Sequence, residues 1–284
     1  MSATLLKGAP VAAALHQKTQ EICLACAQRG AAVTLAVVRV GESPADLSYE
    51  RSLRRAAEKC GVTVRPVALP EEISAGEFYS ALEDLAADNS VHGMLLFRPL
   101  PPGLDERKAC ALIPPAKDVD CAREDSLASV FIGGDTLFAP CTAQACMEIL
   151  KFYDIPLRGA TAAVLGRSLV IGRPVAMLLL QADATVTLCH SRTRELPQTL
   201  RQADIVVSAC GRAEMLTADY LRPGQVVLDV GINTDAGGKL CGDVCFAEAE
   251  PLVAALTPVP GGVGAVTTAV LMSHVAEAAR RAAL

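Results

Sequence analysis

The sequence predicts an α/β protein of two domains, each built from βαβ units. Apolar segments with the length of buried strands alternate with amphipathic segments of helical period, which is typical of parallel sheets covered by helices. The alternation occurs in two successive sets, separated by a proline-rich stretch from Pro99 to about Pro140. The length of 284 residues is enough for two domains of ordinary size.

The first set begins with a helical pattern that stops at Gly30, because glycine commonly ends a helix. A segment rich in Val follows and is predicted to be a strand, and the next helix stops at Gly61. In chain order, the predicted elements are a helix at 9–29, a strand at 33–40, a helix within 41–62, a strand at 62–70, a helix from 75 to about 88 and a strand within 91–102.

The second set repeats this alternation after the proline-rich stretch. Short runs of Val, Ala and Leu mark its strands, and amphipathic segments mark its helices. The predicted elements are a helix at 142–154, a strand at 161–166, a helix at 172–182, a strand at 184–190, a short helix within 192–203, strands at 204–210 and 225–233, and a long helix at 265–284.

The charge pattern argues against a nucleic acid as partner. The formal net charge is −5, and Lys and Arg are scattered singly, so no basic binding face is predicted. The N-terminus lacks the pattern of a secretion signal, and no apolar run approaches the roughly 18 residues of a membrane-spanning helix. We therefore expect a cytoplasmic protein that binds neither nucleic acid nor membrane.

Eleven cysteines are spread along the chain from Cys23 to Cys245, many of them inside apolar segments. An odd number in such positions fits reduced thiols better than a disulfide framework. Cys23 and Cys26 form a C-x-x-C, but no second pair stands at zinc spacing. A buried structural role is favoured over metal or redox chemistry, and we predict no metal site.

A candidate nucleotide site follows the predicted strand at 161–166. The strand leads into Gly166, Arg167 and Ser168, and a helix begins at Gly172. Such a turn directs backbone N–H groups and the positive end of a helix dipole at a phosphate. The spacing departs from G-x-G-x-x-G, because Ser168 stands where a second glycine would and Gly172 comes one residue late. A tight turn without a ligand is the alternative interpretation.

The next predicted strand indicates which dinucleotide would bind. In NAD sites an Asp or Glu near the end of this strand accepts hydrogen bonds from the ribose 2′-hydroxyl. Here the strand ends in CHSRT at 189–193, without a carboxylate. The Ser191 hydroxyl and the Arg192 guanidinium suit a 2′-phosphate, and Arg167 adds a second cation, so we predict NADP rather than NAD. The alternative is that Ser191 and Arg192 only solvate a surface loop.

Eight motifs along the chain have the form of family signatures. They are GESPADLSY at 41–49, PPAKDVD at 114–120, APCTA at 139–143, VLGRSLVIGRP at 164–174, TVTLCHSRT at 185–193, VVLDVGIN at 226–233, CGDVCF at 241–246 and TPVPGGVG at 257–264. On these motifs the chain resembles the methylenetetrahydrofolate dehydrogenase/cyclohydrolase family over essentially its whole length. That family oxidises 5,10-methylenetetrahydrofolate by hydride transfer to NADP and usually hydrolyses the methenyl product to 10-formyltetrahydrofolate.

The resemblance implies a division into domains and a set of site residues. It implies a folate-binding catalytic domain at 1–140 and 265–284 and a Rossmann-like NADP-binding domain at 141–264, with a folate cleft between them. Tyr49 lines that cleft in this interpretation, and Asp120 accepts N–H hydrogen bonds from the pterin edge, which makes these two the candidate catalytic residues. The remaining candidates are Pro260, Gly261 and Gly262 for the substrate, and Gly166, Arg167, Ser168, Gly172, Ser191, Arg192 and Ile232 for the cofactor. Because the family commonly forms homodimers, we expect a homodimer.

The chain departs from the family pattern at positions that concern catalysis. The family pattern Y-x-x-x-K becomes Tyr49 followed by Leu53, and positions four apart share one face of a helix. Phe97 replaces the family glutamine that pairs with this lysine. The pattern K-D-V-D-G ends in Cys121, and the Pro-Met that follows GGVG becomes Ala-Val at 265–266. An alkyl side chain neither donates nor accepts a proton, so the chemistry of the lysine is missing.

These departures affect the two family reactions differently. Hydride transfer mainly requires the nicotinamide and the methylene carbon to be held face to face, and this does not depend on a side-chain base. Hydrolysis needs an activated water, a step to which a general acid or base contributes about 10²–10⁴-fold. We therefore expect an NADP-dependent dehydrogenase whose cyclohydrolase activity is weak or absent.

Three alternatives stay open at this level. The first is a fully bifunctional enzyme in which Tyr49, Asp120 and a recruited arginine, Arg54 or Arg98, carry the hydrolysis. The second is a protein that binds folate and NADP without turnover. The third is a dehydrogenase for another substrate, since Leu53 and Phe97 make the site more apolar, although the retained Asp120 argues against it.

Overall fold

The structure is a computed structural model that describes residues 2–134, 137–235 and 237–283. The positions 1, 135, 136, 236 and 284, which fall within the predicted domain ranges, lie outside the described residues. The chain forms two compact units. The three-stranded unit comprises Ala13–Cys141 and the residues from Thr268 onward, and the six-stranded unit comprises Thr142–Thr267 and the residues up to Ala12.

The three-stranded unit is built on a parallel sheet in the order β3-β2-β4. The central strand β2 (Thr34–Val40) pairs with β3 (Thr63–Leu69) on one edge and with β4 (Gly93–Leu96) on the other. Five consecutive residues of β2 are buried, as expected of a strand inside a parallel sheet. The predicted helices of this region are α1 (Gly8–Gln28), α2 (Pro44–Glu58) and α3 (Ala75–Ala87).

Helix α2 begins at Pro44 because the local sequence caps it. The Ser43 hydroxyl accepts a hydrogen bond from the backbone N–H of Asp46, and proline suits the first turn because its missing N–H is not needed there. The face that the helix buries contains Glu50, Leu53, Ala56 and Ala57. This face fixes the rotation of α2 and leaves Tyr49 40% exposed.

The proline-rich stretch is more regular than the sequence predicted. It contains α4 (Glu106–Leu112) and α5 (Glu124–Ile132), and a 3₁₀ turn lies at Pro115–Lys117. The Asp105 carboxylate caps α4 by accepting hydrogen bonds from two backbone N–H groups of its first turn. Both helices are too short to show a clear period between the prolines, which is why they were missed.

The six-stranded unit is built on a parallel sheet in the order β1-β11-β8-β7-β5-β6. Four of these strands lie where the sequence predicted them, and their carboxyl ends are aligned: Leu165 is in register with Cys189 on one side and with Ser208 on the other. The strands are β1 (Thr4–Leu5), β5 (Thr161–Leu165), β6 (Thr185–Cys189), β7 (Ile205–Ser208), β8 (Val226–Asp229) and β11 (Ala255–Leu256).

The other elements around this sheet are mostly helices. They are α6 (Cys141–Phe152), α7 (Gly172–Gln181), α8 (Leu196–Gln202) and α9 (Phe246–Ala249), with a 3₁₀ turn at Ala218–Tyr220 and an antiparallel hairpin of β9 (Asn233–Thr234) and β10 (Leu240–Cys241). Helix α10 (Val263–Ala282) begins in this unit, and its residues from Thr268 onward belong to the three-stranded unit. The core is formed by small and branched side chains such as Ala163, Val206 and Val227. The hairpin and α9 were not predicted.

The first residues of the chain group with the six-stranded unit, whereas the sequence placed residues 1–140 in one domain. Strand β1 pairs in parallel with β11, and the backbone N–H of Gly8 donates to the Gly261 carbonyl at 2.8 Å. Strands of two residues carry no periodic signal, so their pairing was not visible in the sequence. No helix of the described residues is long and apolar enough to cross a membrane.

Gly166→Ala tests a close backbone contact of the six-stranded unit, between the turn after β5 and the loop after β7. Gly166 has φ of +126°, and a Cβ at this position would lie 2.2 Å from the carbonyl oxygen of Ala209. We expect the substitution to lower the free energy of unfolding by about 2–3 kcal/mol, measured by urea denaturation. The control is Gly76→Ala in α3, where an added Cβ meets nothing within 4 Å. Equal unfolding midpoints for the two variants would contradict this account.

Candidate functional site

A cavity lies at the carboxyl ends of β5, β6 and β7, where open parallel sheets usually bind ligands. Its volume is about 310 Å³. The aligned ends of the three strands bring together the loops that follow them, because each strand stops at the same level of the sheet. The lining residues are Leu165, Gly166, Arg167, Ser168, His190, Ser191, Leu196, Ala209, Cys210, Arg212 and Met215.

The turn after β5 has a shape that requires glycine at two positions. In addition to the contact of Gly166 with Ala209, a Cβ on Gly172 would lie 2.1 Å from the Gly166 carbonyl oxygen. The Ser168 hydroxyl accepts hydrogen bonds from the backbone N–H groups of Ile171 and Gly172, at 3.1 and 3.3 Å. Ser168 therefore caps the start of α7, and this explains a serine where a second glycine was expected.

The charge around this cavity is positive. Arg167 and Arg212 both line it and are exposed, and within the described ranges neither side chain has a carboxylate partner. No Asp or Glu is found among the lining residues. Guanidinium groups in such a setting bind phosphate through paired hydrogen bonds. The cavity is therefore suited to a phosphorylated nucleotide.

Only some of the predicted cofactor residues line the cavity. The residues that line it are Gly166, Arg167, Ser168 and Ser191. Gly172 lies outside the lining, and its backbone packs against the Gly166 carbonyl. Arg192 is exposed and is not among the lining residues, and its backbone N–H donates to Nδ1 of His190 at 3.1 Å. Ile232 is 71% exposed after β8 and also lies outside the lining. Arg212 was not predicted, although its position just after a sheet strand was a usable signal.

Tyr49 and Phe97 are neighbours in the three-stranded unit. Their ring centroids are 5.3 Å apart, and Phe97 is buried. Leu53, one turn along α2 from Tyr49, is fully buried. The two family positions that would carry lysine and glutamine are thus filled by apolar side chains that belong to the core.

Asp120 is half-buried and hydrogen-bonded to both the thiol and the backbone of Cys141. Burial raises the pKa of the Asp120 carboxyl, although these hydrogen bonds and the charge of Arg98 act in the opposite direction. Burial also raises the pKa of the Tyr49 hydroxyl, and the nearby charge of Asp120 adds to this shift. Tyr49 is therefore a neutral hydroxyl that can donate a hydrogen bond.

His274 of α10 contacts Val119, the residue that precedes Asp120. Its Nδ1 is 2.8 Å from the carbonyl oxygen of Val119, and the Cys141 thiol donates to the same oxygen at 3.4 Å. Burial lowers the pKa of His274 to about 4, so the imidazole is neutral and Nδ1–H is the donor to Val119. His274 was not among the candidate site residues, and no signal in the sequence pointed to this contact.

The two arginines considered for catalysis have different surroundings. Arg54 is held by Glu50, with 2.6 Å between Nη2 and Oε1, and Glu50 also accepts from Nε of Arg39 at 3.1 Å. Arg98 is exposed, and its side chain makes no ion pair within the described part of the chain. Its charge acts on Asp120. Arg98 is therefore the available cation of the two.

Pro260, Gly261 and Gly262 belong to the six-stranded unit and precede α10. The Gly261 carbonyl accepts from Gly8, and a Cβ on Gly262 would lie 2.5 Å from the Pro258 carbonyl oxygen. The loop is thus held by close backbone contacts. In the part of the chain that the structure describes, no group of three or more His, Cys, Asp and Glu side chains is placed to hold a metal ion.

Two family models match the chain. Residues 6–120 match the catalytic domain of tetrahydrofolate dehydrogenase/cyclohydrolase, and residues 140–283 match the NAD(P)-binding domain of the same enzyme. The chain belongs to the tetrahydrofolate dehydrogenase/cyclohydrolase family. The resemblance found in the motifs is thereby confirmed.

Relatives in this tetrahydrofolate dehydrogenase/cyclohydrolase family are similar over almost the full length. The bifunctional protein FolD of Carboxydothermus hydrogenoformans is 49% identical over 275 residues, which cover 96% of each chain. Bifunctional protein FolD 1 of Desulfitobacterium hafniense is 44% identical, with 97% of this chain and 98% of the relative covered.

Solved structures of the family have the same fold. The bifunctional FolD of Campylobacter jejuni has a TM-score of 0.95 at 36% identity, with 99% of each chain covered. The Trypanosoma brucei methylenetetrahydrofolate dehydrogenase-cyclohydrolase, in complex with NADP cofactor and inhibitor, has a TM-score of 0.92 at 33% identity and covers 100% of this chain and 99% of its own. The predicted fold, α/β with two domains and parallel sheets, is confirmed.

Glu50→Gln tests the buried ion pair between Arg39 and Glu50, whose carboxylate also holds the half-exposed Arg54. Although burial raises the pKa of Glu50, hydrogen bonds from Arg54 and Arg39 hold it below its ordinary value of 4.5. The stabilisation is therefore fully present above pH 4.5 and is lost as the pH falls through the lower pKa of the folded state. We expect the substitution to cost about 3 kcal/mol of unfolding free energy at neutral pH, because it leaves Arg39 buried without its partner.

The difference in unfolding free energy between the native protein and Glu50→Gln should be smaller below pH 4.5 than at neutral pH. Urea unfolding at each pH measures it. The control is Glu42→Gln, whose carboxylate is 3.9 Å from Arg39 and whose side chain is 79% exposed. That variant should change stability by less than about 1 kcal/mol. A cost of Glu50→Gln that does not depend on pH would argue against the assigned ion pair.

Proposed function

We propose that the chain is a bifunctional, NADP-dependent methylenetetrahydrofolate dehydrogenase and methenyltetrahydrofolate cyclohydrolase. The observation that carries the proposal is the cavity at the glycine turn, with Arg167 and Arg212 facing it and no carboxylate in its lining. Membership of the family supports the folate substrate. The relatives named bifunctional FolD support both activities.

The cavity supports NADP as the hydride acceptor. Gly166 lets the backbone of the turn approach a diphosphate, and α7 directs the positive end of its dipole the same way. Ser191 at the end of β6 stands where NAD sites place a carboxylate, so a 2′-phosphate meets no negative side chain in the lining. Bound NADP supplies the nicotinamide that accepts the hydride. The protein contributes the binding and the orientation.

The folate is proposed to bind at Tyr49 and Asp120. The pterin edge presents N–H donors that the carboxyl oxygens of Asp120 accept, and the neutral Tyr49 hydroxyl offers a donor on the same side of α2 as Phe97. Hydride transfer needs this positioning and no side-chain base. The dehydrogenase reaction is therefore compatible with an apolar residue at position 53.

Hydrolysis of the methenyl product requires a group that takes over from the missing lysine. We assign this role to Arg98, because its guanidinium is exposed, has no ion pair in the described ranges and acts electrostatically on Asp120. The methenyl group is a cation, and water that adds to it must lose a proton. A fixed positive charge favours this loss, so that hydroxide adds to the methenyl carbon and the proton passes to solvent. Arg54 does not suit the role because Glu50 holds it.

A second candidate function is a dehydrogenase with weak or absent cyclohydrolase activity, as the sequence predicted. The burial of Leu53 and Phe97 favours it, since neither position offers a proton donor or acceptor. The named activities of the relatives favour the bifunctional reading instead. A binding protein without turnover predicts NADP binding without NADP reduction. The homodimer and the cytoplasmic location stay predictions.

Two absorbance assays on the purified protein separate these functions. Reduction of NADP on addition of methylenetetrahydrofolate is expected if the chain is a dehydrogenase. Loss of methenyltetrahydrofolate well above its uncatalysed rate is expected if the chain is also a cyclohydrolase. NADP reduction with only uncatalysed hydrolysis would select the second candidate, and neither reaction would select the binding protein.

Arg98→Ala tests the assigned cation in the cyclohydrolase step. We expect hydrolysis to fall by about 10²-fold, with a much smaller effect on NADP reduction, because only hydrolysis uses the charge. Arg98→Lys should keep part of the hydrolysis rate. The matched control is Arg55→Ala, an exposed arginine on α2. If Arg98→Ala hydrolyses the methenyl substrate as fast as the control, Arg98 does not have this role.

A further inference from the structure

A clamp of hydrogen bonds fixes the loop after β7 beside the nucleotide cavity. We propose that Arg212, in this loop, binds a phosphate of NADP and that Asp243 is the positioning residue that holds Arg212 in place. The inference rests on the proposed use of NADP. It adds a cofactor ligand and its support to the predicted site.

The clamp is the carboxylate of Asp243, which is fully buried. Its Oδ2 accepts hydrogen bonds from the backbone N–H groups of Cys210 at 2.7 Å and Gly211 at 3.3 Å, and its Oδ1 accepts from the backbone N–H of Arg212 at 3.0 Å. Three successive N–H groups thus converge on one carboxylate, an arrangement that fixes the loop conformation.

Two side chains complete the set of donors. The Ser208 hydroxyl donates to Oδ2 at 3.1 Å, and the Asn233 amide donates to Oδ1 at 2.9 Å. Asp243 therefore receives five hydrogen bonds, which compensate for the burial of its charge. Burying a carboxylate costs free energy unless hydrogen bonds offset the cost. Four of the five donors lie in the 208–212 segment.

The clamped loop lies directly against the glycine turn. The Ala209 carbonyl occupies the space that a Cβ on Gly166 would need, at 2.2 Å. The position of the Arg212 backbone is therefore set relative to the turn that faces a diphosphate. A side chain on a fixed loop binds phosphate more tightly, because the loop loses less conformational freedom on binding.

The Arg212 side chain has the features of an anion ligand. It lines the cavity together with Arg167, Ser168 and Ser191, and it is exposed. Within residues 2–134, 137–235 and 237–283, its guanidinium makes neither an ion pair nor a hydrogen bond, in contrast to Arg54 or Arg222. A guanidinium pairs with two phosphate oxygens at once, whether these belong to the 2′-phosphate or to the diphosphate.

Calorimetric titration of the full-length protein with NADP, NAD and 2′,5′-ADP tests Arg212. We expect Arg212→Ala to weaken NADP binding about tenfold or more, and Arg212→Lys to weaken it less. Weaker binding of NADP and 2′,5′-ADP with unchanged NAD assigns Arg212 to the 2′-phosphate. Equal weakening for NADP and NAD assigns it to the diphosphate. The control, Arg158→Ala, removes a guanidinium whose side chain is 91% exposed and does not line the cavity.

Unchanged NADP affinity of Arg212→Ala, while the native protein binds NADP, overturns this inference and leaves the proposed function intact. A native protein that does not bind NADP overturns the proposed function itself. Binding is measured without turnover, so the two failures are distinguished.

Asp243→Asn tests the positioning role. A residue that acts through Arg212 should raise KM for NADP and leave kcat at saturating NADP nearly unchanged. In the Arg212→Ala background, it should add little further loss of affinity, because the group it positions is gone. Losses that add fully overturn the positioning role. If Asp243→Asn does not fold, Gly211→Ala replaces it in the cycle, since Gly211 has φ of +65° and an added Cβ meets nothing within 4 Å.

Discussion

The close approach between the turn after β5 and the loop after β7 is the contact on which the nucleotide cavity depends. Gly166 and Gly172 allow it, because any side chain at either position would overlap a backbone carbonyl. The approach brings the turn at 166–168 and the 209–212 loop to one cavity. Asp243 stabilises the same contact from the interior through its hydrogen bonds to the loop. Cofactor binding and the local fold are therefore coupled through backbone geometry.

The region around Tyr49 depends on a different constraint, the buried face of α2. Glu50 and Leu53 lie on that face, and the ion pairs of Glu50 fix Arg39 and Arg54. A lysine at position 53 would have to be accommodated in a fully buried site, at the cost of desolvating its charge. The apolar pair of Leu53 and Phe97 avoids that cost. Arg98, the cation that we propose for the hydrolysis, follows β4 and has no ion-pair partner among the described residues.

Much of the fold followed from the sequence. The alternation of apolar and amphipathic segments predicted the long helices and the four main strands of the larger sheet. Helices α4 and α5, the hairpin of β9 and β10, and the pairing of β1 with β11 were missed, because short elements carry too few residues for a period. Of the cofactor candidates, Gly166, Arg167, Ser168 and Ser191 line the cavity, and the placement of Arg192 and Ile232 outside it was not visible in the pattern.

The sequence by itself determined the fold class, the glycine turn, the lack of a carboxylate in CHSRT at the end of β6 and the loss of the family lysine, since each is a property of one short segment. Only the tertiary structure decided which arginines are held and which are available. The partner of Arg54 is only four residues away, but the placement of Arg212 depends on a distant partner, because Asp243 binds a loop that lies 31 to 35 residues before it. A local pattern cannot encode such a pairing, because the contact exists only once the strands have assembled.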